Sequence, residues 1–418
     1  MKVLHIVGSS QFGGVYVGIC IECRMAREHG IEPSVLTTDP MAEELYAQNK
    51  IRVVKFEGID RPIRPWKDWV DARRLERYLR EDRFEIVHTH TSKGGMIGRY
   101  AAWKAKVPAI IHTAHSFAIH EFSSLWARHS VAFLEGRAAR WCDRIVVLNT
   151  HDEEFARKFC EPKKLVHLPN AIPTNRLGVL ERADREGLRR QVGIPREAWV
   201  IGNICRLTLA KNLGQFLQVL AKLRAVRGRP VYGVLIGKGE LSESLKGLAK
   251  QLGVADRVFF LGFRSDAVSW LPAMDVFLST SRWEGMSRSL LEAMAAGKPV
   301  IATSIKGNRD CLLDGESGLL VPVGDVDATV RACRRVLEDG EFATTLGRRA
   351  RDSFNASYSE PVFIRDMWER VYLPVLEHKK LWYQPQGKYD RQNCDVHPSG
   401  VIATKINRNV AIAGRSQG

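Results

Sequence analysis

Two glutamates, Glu284 and Glu292, lie in a stretch whose residue types suit a polyhydroxylated anion: Trp283-Glu-Gly-Met-Ser-Arg-Ser-Leu-Leu-Glu-Ala-Met-Ala-Ala-Gly-Lys-Pro-Val-Ile-Ala-Thr303. Gly285 loosens the loop, Ser287 can cap a helix, and the run from Ser289 to Ala296 reads as that helix. Gly297 stands where a C-terminal cap belongs, and Pro299 to Thr303 reads as the next strand. Helical rise puts Glu292 roughly 10 Å along from the loop at the mouth. A helix start offers unpaired backbone N–H groups, which attract a phosphate. One carboxylate can hold hydroxyls near that anion and the other hydroxyls further off. A sugar nucleotide has this layout: hexose, diphosphate, ribose. The plain alternative is a loop charge and a solvated helix residue, the usual fate of isolated glutamates.

Further along the same logic, Gly202-Asn-Ile-Cys-Arg206-Leu-Thr-Leu-Ala-Lys211-Asn212 places two cations between a strand and a helix that Asn212 can cap. A guanidinium and an ammonium beside a helix N-terminus make a diphosphate cradle, though surface cations are common. Histidines crowd Glu85-Ile-Val-His-Thr-His-Thr-Ser-Lys-Gly-Gly-Met-Ile-Gly-Arg99 and Ile111-His-Thr-Ala-His-Ser-Phe117. They invite a metal reading, but no carboxylate or cysteine spacing completes a site. Asp325-Val-Asp327 and Asp152-Glu-Glu154 start helices, where capping and dipole pairing account for acids. No metal and no cofactor is expected. The first turn, Gly8-Ser-Ser-Gln-Phe-Gly-Gly14, lacks the GxGxxG spacing of a dinucleotide site, even with Asp39 following the second strand.

The pattern Glu-Gly-x-Ser-x4-Glu-Ala-Met-Ala-x-Gly-x-Pro-Val resembles the Glu-x7-Glu signature of the retaining glycosyltransferases of family 4, which have the GT-B fold. Arg206 to Asn212 resembles the family's diphosphate-binding pair, with Cys205 standing where a glycine is common. The resemblance covers about residues 1–375 and is strongest in the second half. It implies an α/β protein of two Rossmann-like doubly wound domains facing each other across a cleft. The implied reaction moves a hexose from a UDP- or GDP-sugar to an acceptor hydroxyl with retention. Glu284 would lie by the hexose and Glu292 on the ribose hydroxyls. Arg206 and Lys211, with amides of Gly285, Met286 and Ser287, would stabilise the departing diphosphate, so that no divalent ion is needed. His115 matches the family histidine that contacts the donor hexose, while His88, His90 and His112 read as structural. The pair Gly13-Gly14 resembles the family's glycine loop. Gly237-Lys-Gly239 and Leu261-Gly-Phe263-Arg264 match loops near the nucleotide, the second meeting the base through its backbone. Gly307-Asn308 and Asp314 to Gly318 fit the family as shape. Family members of this kind often build lipopolysaccharide or other envelope glycans on lipid carriers, so a glycan or lipid-linked acceptor is expected.

These residues need positioning elements, and the chain supplies short β-rich runs alternating with helical ones, the mark of a doubly wound parallel sheet. Strands are expected at Lys2–Val7, Pro33–Thr37, Arg52–Phe56, Glu85–His88, Ala109–His112, Arg144–Leu148 and Leu165–Leu168. They resume at Trp199–Cys205, Val231–Ile236, Val258–Leu261, Val276–Ser279 and Pro299–Thr303. The clearest helices are Trp66–Arg80, Leu125–Trp141, Asp325–Leu337 and Glu341–Phe354. The pattern breaks at Pro169-Asn-Ala-Ile-Pro-Thr-Asn, which divides a domain over 1–175 from one over 176–356. A helix over 357–378 would cross back to the first domain, as the resemblance implies, and 379–418 reads as a basic polar tail.

With 418 residues the chain exceeds one ordinary core, and its 45% hydrophobic content and mean hydropathy of −0.20 describe a globular protein. No uncharged apolar run reaches the roughly 18 to 20 residues of a membrane span. The N-terminus reads as a strand rather than a signal peptide, so a cytoplasmic protein is expected, at the inner face of the membrane if it docks there. Eight cysteines in this length do not make a disulfide framework, and Cys20 and Cys23 read as buried thiols in a helix. The net charge of +16 favours anionic partners. With the segment Ile59-Asp-Arg-Pro-Ile-Arg-Pro-Trp-Lys-Asp-Trp69 it fits docking to an anionic leaflet. A nucleic-acid binder is the rival class, but no recognition module or basic-aromatic stripe supports it. A nucleotide-sugar epimerase or a phosphorylase of the same fold is the nearer rival.

Overall fold

The computed structural model describes residues 1–8, 14–59, 62–117 and 124–381. Gly13, Asp60, Arg61 and residues 382–418 of the expected tail lie outside them. Strands β1 (Lys2–Val7), β2 (Glu32–Thr37), β3 (Arg52–Lys55), β4 (Ile86–His90), β5 (Ala109–Ala114), β6 (Arg144–Val147) and β7 (Leu165–His167) form a parallel sheet ordered β3-β2-β1-β4-β5-β6-β7. A second sheet takes β8 (Trp199–Ile204), β9 (Ala225–Val226), β10 (Arg229–Ile236), β11 (Val258–Phe260), β12 (Val276–Ser279), β13 (Val300–Thr303) and β14 (Leu319–Val321). Its parallel order is β11-β10-β8-β12-β13-β14, with β9 pairing antiparallel to β10.

Strands of such sheets are covered on both faces and so read as near-continuous apolar runs. In β1, Leu4 and Ile6 face a core built with Val87, Leu75 and Ile97, while Val7 faces Tyr16, Ile19 and Val35 on the other side. His5 is the polar exception and is fully buried. The expected strands are present, shifted by a residue or two at their ends. Neither β9 nor β14 is among them, because two or three residues carry no periodicity.

Each sheet reverses its strand order once, between β1 and β4 and between β8 and β12, and ligands of open α/β sheets bind beyond the carboxyl ends of strands at that point. Here those ends face each other. Thr150 donates through its backbone N–H and its hydroxyl to Asp310 at 2.7 and 2.6 Å, and Lys306 Nζ lies 2.9 Å from His151 Nδ1. The terminal helix returns to the first sheet: Tyr372 Oη meets His88 Nδ1 at 2.9 Å and Trp368 stacks on His29. It is not one regular helix. Glu360–Met367 and Leu373–His378 are joined by a π-helical turn, Trp368–Tyr372, just before Pro374. Proline has no N–H for the helical ladder and crowds the preceding turn, which the wider turn relieves.

Candidate active site

The second switch point is built by backbone bonds before any side chain acts. The loop after β12 is stitched to the loop after β8: Arg282 N–H donates to Ala210 O at 2.7 Å, and Thr280 Oγ1 donates to Lys211 O at 2.9 Å. Thr303 Oγ1 holds Ser281 O from β13 at 2.5 Å. In that frame Lys211 Nζ sits 2.5 Å from Glu284 Oε2, and the Ser281 hydroxyl donates to the other Glu284 oxygen. The lysine is partly and the glutamate largely buried, so this ion pair is shielded from solvent. Gly307 closes the loop from behind: a Cβ there would lie 2.0 Å from Gly285 O. The glycine acts through shape, as the sequence suggests.

Arg206 opens the same loop, exposed, and makes no ion pair among the described residues. Its backbone is fixed by neighbours. Gly237, with φ +143°, would place a Cβ 1.8 Å from Cys205 O, and Gly239 would clash with Leu207 O. Gly237 N–H donates to Gly262 O at 2.8 Å and Leu207 N–H to Lys238 O at 3.0 Å, which together join the loops after β8, β10 and β11. Phe263 is exposed on the last of them. Arg264 is engaged by both oxygens of Asp266 at 2.8 Å and lies over Trp270. Its guanidinium therefore shapes the loop, and the pairing holds the Asp266 carboxyl below its usual range.

Glu292 departs from the solvated reading. It is 3% exposed, and Arg176 Nε reaches its Oε1 at 2.5 Å from the helix Thr174–Leu177. The helix carrying it spans Arg288–Ala295, so only its first turn separates Glu292 from the helix start, about 6 Å rather than 10. The difference arises because Gly285 to Ser287 stay outside the helix, Ser287 with extended backbone. Ser287 occupies the N-cap position but makes no capping bond, its hydroxyl turned to Ser289 at 3.3 Å, which leaves first-turn N–H groups for a ligand. Asn212 likewise does not cap its helix. It adopts φ +48° and gives its amide to Gln215 at 2.9 Å. Met286 packs against the second core, and Ser287 is buried.

Two arginines escape the sequence reading. Arg176 lies in a charged, strand-poor region with no motif around it. Arg288 had a signal: a cation in the first turn opposes the helix dipole and calls for an explanation. The explanation is a bridge, since Arg288 Nη1 donates to Gly14 O in the first domain at 3.2 Å. Gly14 has no room for more, because a Cβ would lie 2.2 Å from Arg288 Cδ. Burial lowers the Arg288 guanidinium to about 10, while Glu292 acts the other way.

Facing this loop from the first sheet is His115, just past β5. Its carbonyl borders Gly285, and its Nε2 lies 3.2 Å from His90 Nδ1. Burial, aided by Arg288, holds the imidazole down at about 4, so it is neutral. Ser116, Asn149 and Asp152 complete a small cavity with Trp283, Glu284 and Lys306. Burial pushes the Asp152 carboxyl up to about 6, against hydrogen bonds from Asn149 and Phe117. The structure thus gathers Lys211, Glu284, Gly285 and His115 about one crevice, and Gly14 and Glu292 flank it through Arg288.

Elsewhere the acids behave as capping groups: Asp325 accepts from Ala328 N–H at 2.8 Å, and Asp327 pairs with Lys222. Cys20 and Cys23 are buried free thiols, with burial pushing Cys20 up to about 12. One expectation fails. A carboxylate does join the histidines: Glu22 Oε2 lies 3.3 Å from His5 Nδ1 and 3.5 Å from both His88 Nδ1 and His90 Nε2. Spacing along the chain cannot show it, because three separate elements contribute. Among the described residues, no helix is long and apolar enough to cross a membrane.

A family model described as glycosyl transferases group 1 matches residues 184–353, and one described as glycosyltransferase family 4 matches residues 12–176. The chain is 31% identical over 301 residues to the UDP-Gal:alpha-D-GlcNAc-diphosphoundecaprenol alpha-1,3-galactosyltransferase of Escherichia coli, covering 70% of this chain and 77% of the relative. It is 29% identical over 240 residues to the lipopolysaccharide core biosynthesis glycosyltransferase LpsE of Rhizobium meliloti, covering 52% and 68%. Among solved structures, Anabaena HepE in complex with UDP-glucose superposes with a TM-score of 0.76 at 21% identity, over 88% of this chain and 98% of that one.

Proposed function

This chain belongs to glycosyltransferase family 4, with the GT-B fold, and from that premise we propose that it is a retaining, metal-independent hexosyltransferase using a nucleoside diphosphate sugar. The observation that carries the reading is the Lys211–Glu284 pair at the β8/β12 switch point, facing neutral His115 across the crevice. In the proposed reaction the bond from the sugar C1 to the β-phosphate oxygen breaks, and that oxygen keeps the electron pair. Lys211 and Arg206, with backbone amides near Gly285 to Ser287, stabilise the charge, the task a divalent ion would otherwise perform. The acceptor oxygen bonds to C1 on the same face and passes its proton to the departing phosphate oxygen. Glu284 and His115 hold hexose hydroxyls, and Glu292, kept in place by Arg176, takes the ribose hydroxyls. The glycine loop of Gly13-Gly14 would approach diphosphate and acceptor, and the loops at Gly237 and Phe263-Arg264 the nucleotide, the second meeting the base through its backbone.

One relative is named for lipopolysaccharide core biosynthesis and another for a diphosphoundecaprenol-linked acceptor, and an envelope glycan on a lipid carrier is the acceptor we favour. Three neighbouring helices of the first domain support docking to an anionic leaflet. Ile63, Trp66 and Trp69 stand exposed at the start of Pro65–Asp82, Trp103 on Ser92–Ala105, and Trp126, Phe133 and Leu134 on Leu125–Ala138. Basic groups accompany them, with Arg73 over Trp69 and Lys104 over Trp103. Ile59, at the head of the expected docking segment, is instead buried.

Three measurements test the reading. Calorimetry with UDP and GDP identifies the base. Nucleotide release should require acceptor and should yield a product of unchanged anomeric configuration by NMR. Acceptor-independent release or an inverted anomer would remove the proposal. Flotation with anionic vesicles at low salt should carry the protein upward, and a chain that stays below the gradient would remove the docking surface.

A further inference from the structure

We propose that His5, Glu22, His88 and His90 form a buried site for a divalent transition-metal ion of the zinc class, inside the first domain and separate from the diphosphate cradle. Parallel register sets His5 of β1 beside His88 of β4, and strand alternation puts His90 on the same face. The helix Gly14–Glu28 covers that face and brings Glu22 down onto the imidazoles. All four residues are buried, none more than 2% exposed.

The separations suit an ion. His5 Nδ1, His90 Nε2 and Glu22 Oε2 are 3.1, 3.3 and 3.5 Å apart in pairs, His88 Nδ1 lies 3.5 Å from the same carboxylate oxygen, and all four donors lie within 4.8 Å of one another, so closing a tetrahedron draws His88 in toward the other two imidazoles. Ligands held tetrahedrally at zinc distances of about 2.0–2.1 Å stand roughly 3.3 Å from one another. Glu22 Oε2 has no hydrogen-bond partner among the described residues, although three ring nitrogens surround it. A proton on Glu22 could bond to only one of those nitrogens. A divalent ion would satisfy all the converging lone pairs at once, and a buried carboxylate left unpaired is costly. Three imidazoles and one carboxylate are an N/O set of the kind zinc and cobalt accept.

The surrounding groups fix two of the donors, whereas His5 Nε2 has no hydrogen-bond partner among the described residues. Thr113 Oγ1, 2.8 Å from His88 Nε2, takes that N–H and leaves Nδ1 bare toward the cluster; the Tyr372 hydroxyl at 2.9 Å must turn aside to free it. His90, bound through Nε2, would carry its proton on Nδ1 and donate to His115 Nε2 at 3.2 Å. The ion would therefore set the tautomer of the crevice histidine, with its remaining proton on Nδ1. His90 acts here as a positioning residue.

The full chain, purified without chelators, should contain about one zinc per molecule by mass spectrometry of the digested protein. After stripping, titration with Co²⁺ alone should restore one ion per chain and give the visible bands of a tetrahedral cobalt centre. His5→Gln and Glu22→Gln should each weaken binding by about 10-fold or more, while exposed His129→Gln should leave it unchanged. A wild-type chain without stoichiometric metal as purified and without cobalt bands overturns the site, and that result needs no variant to fold. Stoichiometric binding undiminished in both variants overturns it equally, by placing the ion elsewhere.

Discussion

The two halves of the molecule share one order over six parallel strands, to which the first adds β7, yet the groups beyond their switch points are opposite in kind. Past β8 and β12 stand Arg206, Lys211 and Glu284, which carry fixed charges. In and just past β1, β4 and β5 stand glycine, threonine and imidazoles, and burial keeps His88, His90 and His112 of the strands and His115 beyond them neutral. A doubly wound sheet supplies a crevice and no chemistry of its own; loops supply the rest. Under the proposed function the division is sensible. A diphosphate needs permanent cations in a shielded place, while a hexose and an acceptor hydroxyl need hydrogen-bonding groups that add no charge.

If the charged half does the stabilising, removing its shielded cation should give the largest effect. Lys211→Ala should lower kcat/KM by about 10³-fold, the scale for losing one transition-state donor, and it also strands Glu284 without its partner. Circular dichroism should be unchanged. Steady-state release of nucleotide in the presence of acceptor checks it, and a wild-type rate would erase the distinction between the halves.

Glu292→Ala comes next, with a loss of about 10²-fold in kcat/KM, seen mainly as a raised donor KM because a ribose contact is made in ground and transition states alike. The variant leaves Arg176 without its 2.5 Å partner beside buried Arg288. Glu292→Gln, which keeps a polar group there, should lose less. Equal losses in kcat with KM unmoved would place Glu292 at the reacting centre and blur the boundary drawn here.

Much of this was readable along the chain where local chemistry decides. The strands are legible because buried parallel strands are apolar runs between turn residues, and the neighbourhood of Lys211 and Glu284 because both lie in recognisable motifs. Three features were not. The burial of Glu292 against Arg176 leaves no mark in the sequence, because the two lie far apart along the chain. Asn212 and Ser287 have the right side chains for caps, but local geometry turned them elsewhere. Glu22 meets His5, His88 and His90 only once a helix has been laid on two strands, and spacing holds no trace of that. Alternation along β4 shows only that His88 and His90 share a face.

Asp152 tests whether the first half really avoids charge. Burial raises its carboxyl from 3.8 to about 6. Below about pH 4 folded and unfolded chains both hold the proton. As pH rises, the unfolded chain releases it first, so stability from this group is lost between about 4 and 6 and stays lost above. Asp152→Asn escapes that loss. Its stability relative to wild type should therefore improve by about 2 kcal/mol between pH 4 and pH 7.5, in denaturant titrations at the two values. A gap that does not change with pH would show the carboxyl to be unperturbed.

The smallest effect expected is at the seam between the halves. Gly14 starts a helix with ordinary helical backbone, so alanine there is locally favourable, and thermal stability should hold or rise slightly. Its Cβ, however, would occupy the place of Arg288 Cδ and push that side chain off Gly14 O. Arg288 stands beside the Glu292 pair, so the disturbance should reach the donor side and lower kcat/KM by about 10-fold. The double variant separates this from a general defect. In an Arg288→Ala background the steric conflict is gone, and adding Gly14→Ala should then change activity by less than about 2-fold. If the two losses instead multiply, the halves are not coupled through this arginine, and Gly14 acts on the acceptor side alone.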